Sequence, residues 1–167
     1  MNIYIIGMPG SGKTTIARHL AKALNYTYID LDGMIEKEAL MFIEEIFETY
    51  GEIKFRQLET NAIKSIECDQ AVISCGGGIV TKKENKAFMD GLKIYLDTDL
   101  EVIKERLKND YQRPLLQKTT LEQLFDERFL KYQDFADVII NNNYDVEQTV
   151  KVILNYLDKK EVISWIF

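Results

Sequence analysis

Eight residues near the start of the chain, Gly7-Met8-Pro9-Gly10-Ser11-Gly12-Lys13-Thr14, fit the pattern G-x-x-x-x-G-K-[ST]. They stand between the apolar run Ile3-Tyr4-Ile5-Ile6 and a segment in which Ile16, Ala17, Leu20, Ala21 and Leu24 recur at helical spacing. That strand–loop–helix setting separates a phosphate-binding loop from an ordinary glycine turn. Glycines let backbone N–H groups close on an anion, Lys13 reaches the β/γ oxygens, the Thr14 hydroxyl can hold Mg²⁺, and a helix N-terminus completes the cradle. Gly10, Ser11, Gly12, Lys13, Thr14 and Thr15 are therefore the expected nucleotide-binding residues.

The chain beyond the loop alternates strand-like and helix-like stretches. Asn25 is the expected stop of the first helix, and Tyr26-Thr27-Tyr28-Ile29-Asp30 is a β-prone run that ends in Asp30-Leu31-Asp32-Gly33. Ligands of open α/β sheets bind at the carboxyl ends of the strands, so both carboxylates are placed on the edge that presents the phosphate loop. Asp-x-Asp alone also suits a solvated turn. From Gly33 the sequence is helix-rich and too long for a simple crossover, with Ile43, Ile46, Phe47 and Tyr50 on one stripe and Gly51 breaking it. It reads as an acceptor-binding insertion over about 33–60. Within it Arg56 and Glu59 have the three-residue spacing of a helix surface pair.

Ala71-Val72-Ile73-Ser74-Cys75 has the character of a strand buried on both faces and runs into Gly76-Gly77-Gly78. A turn needs one or two glycines, whereas three let bare backbone approach a small ligand. The strand lacks a terminal Asp for Mg²⁺, which points to Asp30 for that duty. Lys93-Ile94-Tyr95-Leu96 is a fourth strand, and Thr98-x-x-Glu101 reads as a capping box opening a helix that carries Arg106. A polar, proline-broken stretch follows, about 109–120, which suits a lid with Arg113 as its charge. Leu121, Leu124, Phe125, Phe129 and Tyr132 continue helically with Arg128 interrupting the apolar face, Asp137–Ile140 is a fifth strand, Asn141–Asn143 a loop, and about 146–157 a closing amphipathic helix. The apolar tail of Val162, Ile163, Trp165, Ile166 and Phe167 is expected to pack on the domain or on another copy.

At 167 residues the chain suits one domain, 1–167, that folds without disulfides. Lys and Arg number 21 against 27 Asp and Glu, a net charge of −6, which argues against a basic face for nucleic acid. No apolar run reaches membrane-spanning length and the phosphate loop begins almost at once, so a cytoplasmic protein without membrane partners is expected. Cys68 and Cys75 have no metal-site spacing, and His19, on the polar side of the first helix, has no expected catalytic role.

Taken in order, the motifs resemble those of the shikimate kinases, small P-loop enzymes that phosphorylate the 3-hydroxyl of shikimate with ATP. The resemblance rests on residues 7–14, Asp30-Leu-Asp32, Ile43–Phe47, Gly51-Glu-x-x-Phe-Arg56-x-x-Glu59, Gly76–Gly78, Arg113-Pro-Leu-Leu116 and Arg128 before Tyr132. It implies an α/β, three-layer P-loop kinase fold: a five-stranded parallel sheet flanked by helices, with the acceptor-binding insertion and the lid. It implies ATP and Mg²⁺ as cofactors, shikimate as substrate and a monomer. By the same resemblance Asp32 is the base, Lys13 and Arg113 counter charge, Arg56 and Arg128 hold the shikimate carboxylate and Gly76, Gly77 and Gly78 line its ring. Thr14 and Asp30 serve Mg²⁺, and Arg106 lies against adenine. The family commonly shows Arg-x-Pro-Leu-Tyr where this chain has Arg128-Phe-Leu-Lys-Tyr132, and glycines in the lid that this chain lacks. A gluconate or nucleoside monophosphate kinase, or a nucleotide-binding module without catalysis, are the alternative readings.

Overall fold

The computed structural model describes residues 1–108 and 119–164, with side chains described as far as residue 160. The strands are β1 (Asn2–Ile6), β2 (Thr27–Asp30), β3 (Ala71–Ser74), β4 (Gly91–Asp97) and β5 (Val138–Asn141). The helices are α1 (Lys13–Leu24), α2 (Leu31–Ala39), α3 (Ile43–Lys64), α4 (Asn85–Phe88), α5 (Leu100–Leu107), α6 (Leu121–Phe135) and α7 (Val146–Ser164). The sheet is five-stranded and parallel throughout, in the order β2-β3-β1-β4-β5.

Strand alternation divides the core in two. Ile3 and Ile5 of β1 face Ile16, Ala17, Leu20 and Ala21 of α1 together with Val150, Ile153 and Leu157 of α7. Tyr4 and Ile6 face the opposite layer, built by Leu31 and Ile35 of α2, Ile46, Phe55 and Ile63 of α3, and Leu124, Tyr132 and Phe135 of α6. Successive side chains of a strand point to opposite faces, so a strand covered on both sides must be apolar at every position. The five residues of β1 are all buried; four are apolar, and the side chain of the first, Asn2, donates to Cys68 O and accepts from Ala71 N–H. Chain order reverses at β1, which lies between β3 and β4, and the loops after β1 and β3 open together at the carboxyl edge.

Local signals set the boundaries. Asn25 ends α1 in the left-handed conformation at φ 56°, its N–H turned back to the carbonyls of Ala21 and Lys22. Gly51 interrupts α3 with φ 78° and ψ 175°, non-helical values that divide it into two helical segments, so the insertion is α2 followed by a helix broken where the glycine stands. Two expectations are corrected. Thr98 does not cap α5: the capping position is Asp99, without a side-chain cap bond, and the Thr98 hydroxyl is turned toward the Ser11 carbonyl at 3.5 Å. The closing helix runs on to Ser164, seven residues beyond the Leu157 at which its apolar stripe ends. The side chains of the apolar tail, and most of the expected lid with Arg113, lie outside the described residues.

Candidate active site

The phosphate loop links β1 to α1, and its Met8 and Ser11 carbonyls accept hydrogen bonds from within the protein. Gly12 takes the left-handed conformation at φ 90°, which only glycine adopts without strain, and forms the N-cap of α1. Ser11 N–H donates to Met8 O at 3.1 Å, and the Lys13 ammonium, largely buried, donates to the same carbonyl at 2.7 Å. On the outer side the Ser11 carbonyl accepts from Asn142 Nδ2 at 2.5 Å and from Arg106 Nη1 at 3.0 Å, while Arg106 Nη2 donates to Asn142 O at 3.2 Å. Partial desolvation where it meets the loop holds the Arg106 guanidinium below its ordinary pKa, although the residue as a whole is exposed.

Thr14 Oγ1 lies 3.4 Å from Ser74 Oγ, the last residue of β3. Asp30, at the end of β2, occupies the N-cap position of α2, and Asp32 falls in the first turn of that helix. Among the described residues no cluster of three or more His, Cys, Asp or Glu side chains stands together as a metal site. A hydroxyl, one carboxylate and nucleotide phosphates form the oxygen set magnesium uses when it is bound mainly through its substrate.

The second half of the site is a knot of buried charge. Arg56, 7% exposed, pairs with Glu59, 1% exposed, through Nη1 and Oε2, and with Glu52 through Nη2 at 3.2 Å. Desolvation raises the Glu59 carboxyl above its usual pKa even with the Arg56 guanidinium pulling it down, and nearby Asp32 adds to the rise. Arg128 is only 2% exposed, and its Nε and Nη1 find no hydrogen-bond partner among the described residues. Glu59 Oε1 is in the same condition. Tyr132, one turn after Arg128, stacks on Tyr95 with centroids 5.1 Å apart and donates its hydroxyl to Gly77 O. Burial lifts the Tyr132 phenol to about 12, although the Arg128 guanidinium draws it back.

The glycine triplet is crowded from three directions. A Cβ at Gly76 would stand 2.7 Å from Glu59 Oε1 and 2.9 Å from Asp32 Oδ1, one at Gly77 2.9 Å from Pro9 Cδ, and one at Gly78 would overlap the Arg56 guanidinium. The absence of side chains there brings the carboxylates, the arginine and the phosphate loop within reach of one small volume. Sequence spacing had left the Arg56–Glu59 pair readable as a surface contact, but the structure buries it. The departures at Leu130 and Lys131 point outward: Leu130 is 71% exposed, whereas Arg128 and Tyr132 keep one buried face of α6. From sequence alone, Asn142, Thr149 and Ser74 had no part in the site.

The structure therefore brings Gly10–Thr15, Asp30, Asp32, Arg56, Gly76–Gly78, Arg106 and Arg128 to the carboxyl edge of one sheet. Residues 9–158 match the family model described as SKI, shikimate kinase. A curated shikimate kinase of Rippkaea orientalis is 40% identical over 161 residues, which span 92% of this chain and 86% of that protein. The solved structure of the shikimate kinase from Acinetobacter baumannii in complex with shikimate shares 34% identity at a TM-score of 0.90, covering 95% of this chain and 93% of that one. The crystal structure of the Aquifex aeolicus shikimate kinase shares 36% identity at a TM-score of 0.84, covering 96% and 98%.

Proposed function

The chain belongs to the shikimate kinase family and is an ATP-dependent kinase of shikimate, and on that premise we propose how its own residues divide the work. The observation that carries the assignment is Arg128: a buried guanidinium with two nitrogens unpartnered among the described residues, close to a buried Arg56, is built to receive a carboxylate. Arg56 and Arg128 bind the shikimate carboxylate, and the backbone of Gly76, Gly77 and Gly78 lines the ring. That docking sets the ring's hydroxyls toward Asp32 and the phosphate loop. Asp32 orients the 3-hydroxyl and accepts its proton as that oxygen bonds to the γ-phosphorus. The bond from the γ-phosphorus to the bridging oxygen breaks, and ADP leaves.

Lys13 leaves its contact with Met8 O to meet the β- and γ-oxygens, and the backbone of Gly10–Thr14 surrounds the β-phosphate. Thr14 and Asp30, together with the nucleotide, would hold Mg²⁺, which when bound would neutralise charge that develops on the phosphates. Arg113, outside the described residues, adds positive charge from the lid, and Arg106 lies against adenine. Catalysis is positioning and electrostatics, as phosphoryl transfer through a loose transition state demands. The enzyme acts as a cytoplasmic monomer in this reading; among the described residues no helix is long and apolar enough to cross a membrane.

ADP release measured in parallel with shikimate, gluconate and nucleoside monophosphates tests the assignment. Release that depends on shikimate alone is expected. Release only with a nucleotide acceptor, or tight ATP binding without acceptor-dependent release, overturns it.

A further inference from the structure

The loop after β5, Asn141-Asn142-Asn143, carries no motif, yet its middle residue is 2% exposed and committed at every polar group. Asn142 N–H donates to Asp97 O at 2.8 Å, Oδ1 accepts from Thr149 Oγ1 at 2.8 Å, Nδ2 donates to Ser11 O at 2.5 Å, and the carbonyl accepts from Arg106. Thr149 itself is fully buried. Reversing the amide would set its oxygen against the Ser11 carbonyl, so the donor end faces the loop.

The Ser11 carbonyl and the Gly12 N–H belong to one trans peptide and point in opposite directions. Holding the oxygen outward aims the Gly12 N–H inward, at the anion the loop encloses. Arg106 holds the same oxygen, but it sits on the helix that leads to the lid and is the residue assigned to adenine. Thr98 reaches that oxygen only at 3.5 Å, so Asn142, at 2.5 Å and itself fixed by Thr149, is the closest brace. We propose that Asn142, oriented by Thr149, is a positioning residue for the phosphoryl donor: it fixes the Ser11–Gly12 peptide plane and so preorganises the loop for the β- and γ-phosphates. The inference rests on the reading of residues 7–14 as the ATP site. Without the brace the peptide must be ordered at binding, so the loss falls on nucleotide affinity and not on transfer from the bound nucleotide.

Asn142→Asp keeps the volume and the acceptor for Thr149 but puts an oxygen where the donor stood. It is expected to raise the MgATP KM about tenfold, with kcat within about threefold and the shikimate KM within about twofold of the parent. Inhibition by inorganic tripolyphosphate, which has no base, weakens by the same factor as ATP binding. Thr149→Val, equal in volume, moves both in the same direction by about two- to fivefold. An unchanged MgATP KM, an equal rise for both substrates, or weakened ATP binding with intact tripolyphosphate binding each overturn the brace. If Asn142→Asp fails to fold, Thr149→Val alone decides by the same readouts. If the parent enzyme binds no MgATP, the reading of the loop itself fails and the brace falls with it.

Discussion

The two halves of the site meet the same problem, holding a multiply charged ligand, with opposite chemistry. The nucleotide half uses backbone: the Ser11 carbonyl is held by Asn142 and Arg106, so the peptide that ends in the Gly12 N–H is fixed before any anion arrives. The acceptor half uses side chains, and it is left incomplete, with Arg128 Nε and Nη1 and Glu59 Oε1 buried and unpartnered among the described residues. A buried polar atom without a partner costs roughly 1–3 kcal/mol, more when charged. The acceptor pocket thus carries unmet buried charge that its ligand relieves, whereas in the phosphate loop the atom left unpartnered among the described residues is the neutral Ser11 hydroxyl. Selectivity follows from the difference, because an acceptor without a carboxylate leaves the guanidinium donors unmet.

The contrast breaks most sharply at Asp32, the group assigned to chemistry and not to binding. Asp32→Asn is expected to lower kcat by about 10³-fold or more while the MgATP dissociation constant stays within about threefold, read by steady-state rates and titration calorimetry. Near-normal turnover removes Asp32 as base. Arg128→Met comes next: the shikimate KM rises about 100-fold with the MgATP KM unchanged. Its ligand-free thermal midpoint equals or exceeds that of the parent, because a buried cation with unmet donors is gone, and shikimate no longer raises it. A large drop in the ligand-free midpoint means those donors were paired, and the contrast fails. Gly78→Ala places a methyl against the Arg56 guanidinium. It is expected to raise the shikimate KM about tenfold and leave MgATP alone, since the displaced arginine forfeits its fit to the carboxylate.

The smallest effect lies outside both halves. Asp137 accepts from Lys93 N–H at 2.8 Å and Nζ at 3.0 Å, and although burial opposes it, these contacts hold its carboxyl below the usual range. A depressed folded-state pKa contributes stability above the unfolded value near about 3.9 and loses it as pH falls through the folded value. Asp137→Asn is therefore expected to lower the thermal midpoint by no more than about 3 °C at pH 7 and by nothing near pH 2. Unaltered kinetic constants in this variant show that the effects at Asp32, Arg128 and Gly78 belong to the site.

Legibility followed the range of the interactions. The phosphate loop, the Asp30-x-Asp32 end of β2, the Arg56–Glu59 spacing and the glycine triplet are local patterns tied to strand ends and helix turns, so residue order alone exposed them. So were the five strands, of which β1, β3 and most of β4 are buried while the edge strands β2 and β5 are partly exposed. The burial of Arg56 and Arg128 was not legible, because an arginine on a helix looks the same beside water and beside a ligand. Thr98 misled in the other direction: its spacing to Glu101 fits a cap, but the hydroxyl is turned toward the Ser11 carbonyl of the phosphate loop. Asn142 was read as one of three loop asparagines. Its partner lies 131 positions away, and no periodicity reports such a distance.

That distance has a consequence for how the chain is made. β1 pairs only with β3 and β4, which begin at Ala71 and Gly91, and the Ser11 carbonyl waits for a side chain at position 142. On a ribosome, residues 7–14 thus emerge well ahead of the partners that hold them. Until Asn142 and Thr149 follow, a nascent chain carries the phosphate-loop residues without the brace proposed for the Ser11–Gly12 peptide. Such non-local closure slows folding, and it makes ATP a stabiliser of the finished protein that has little hold on its precursors.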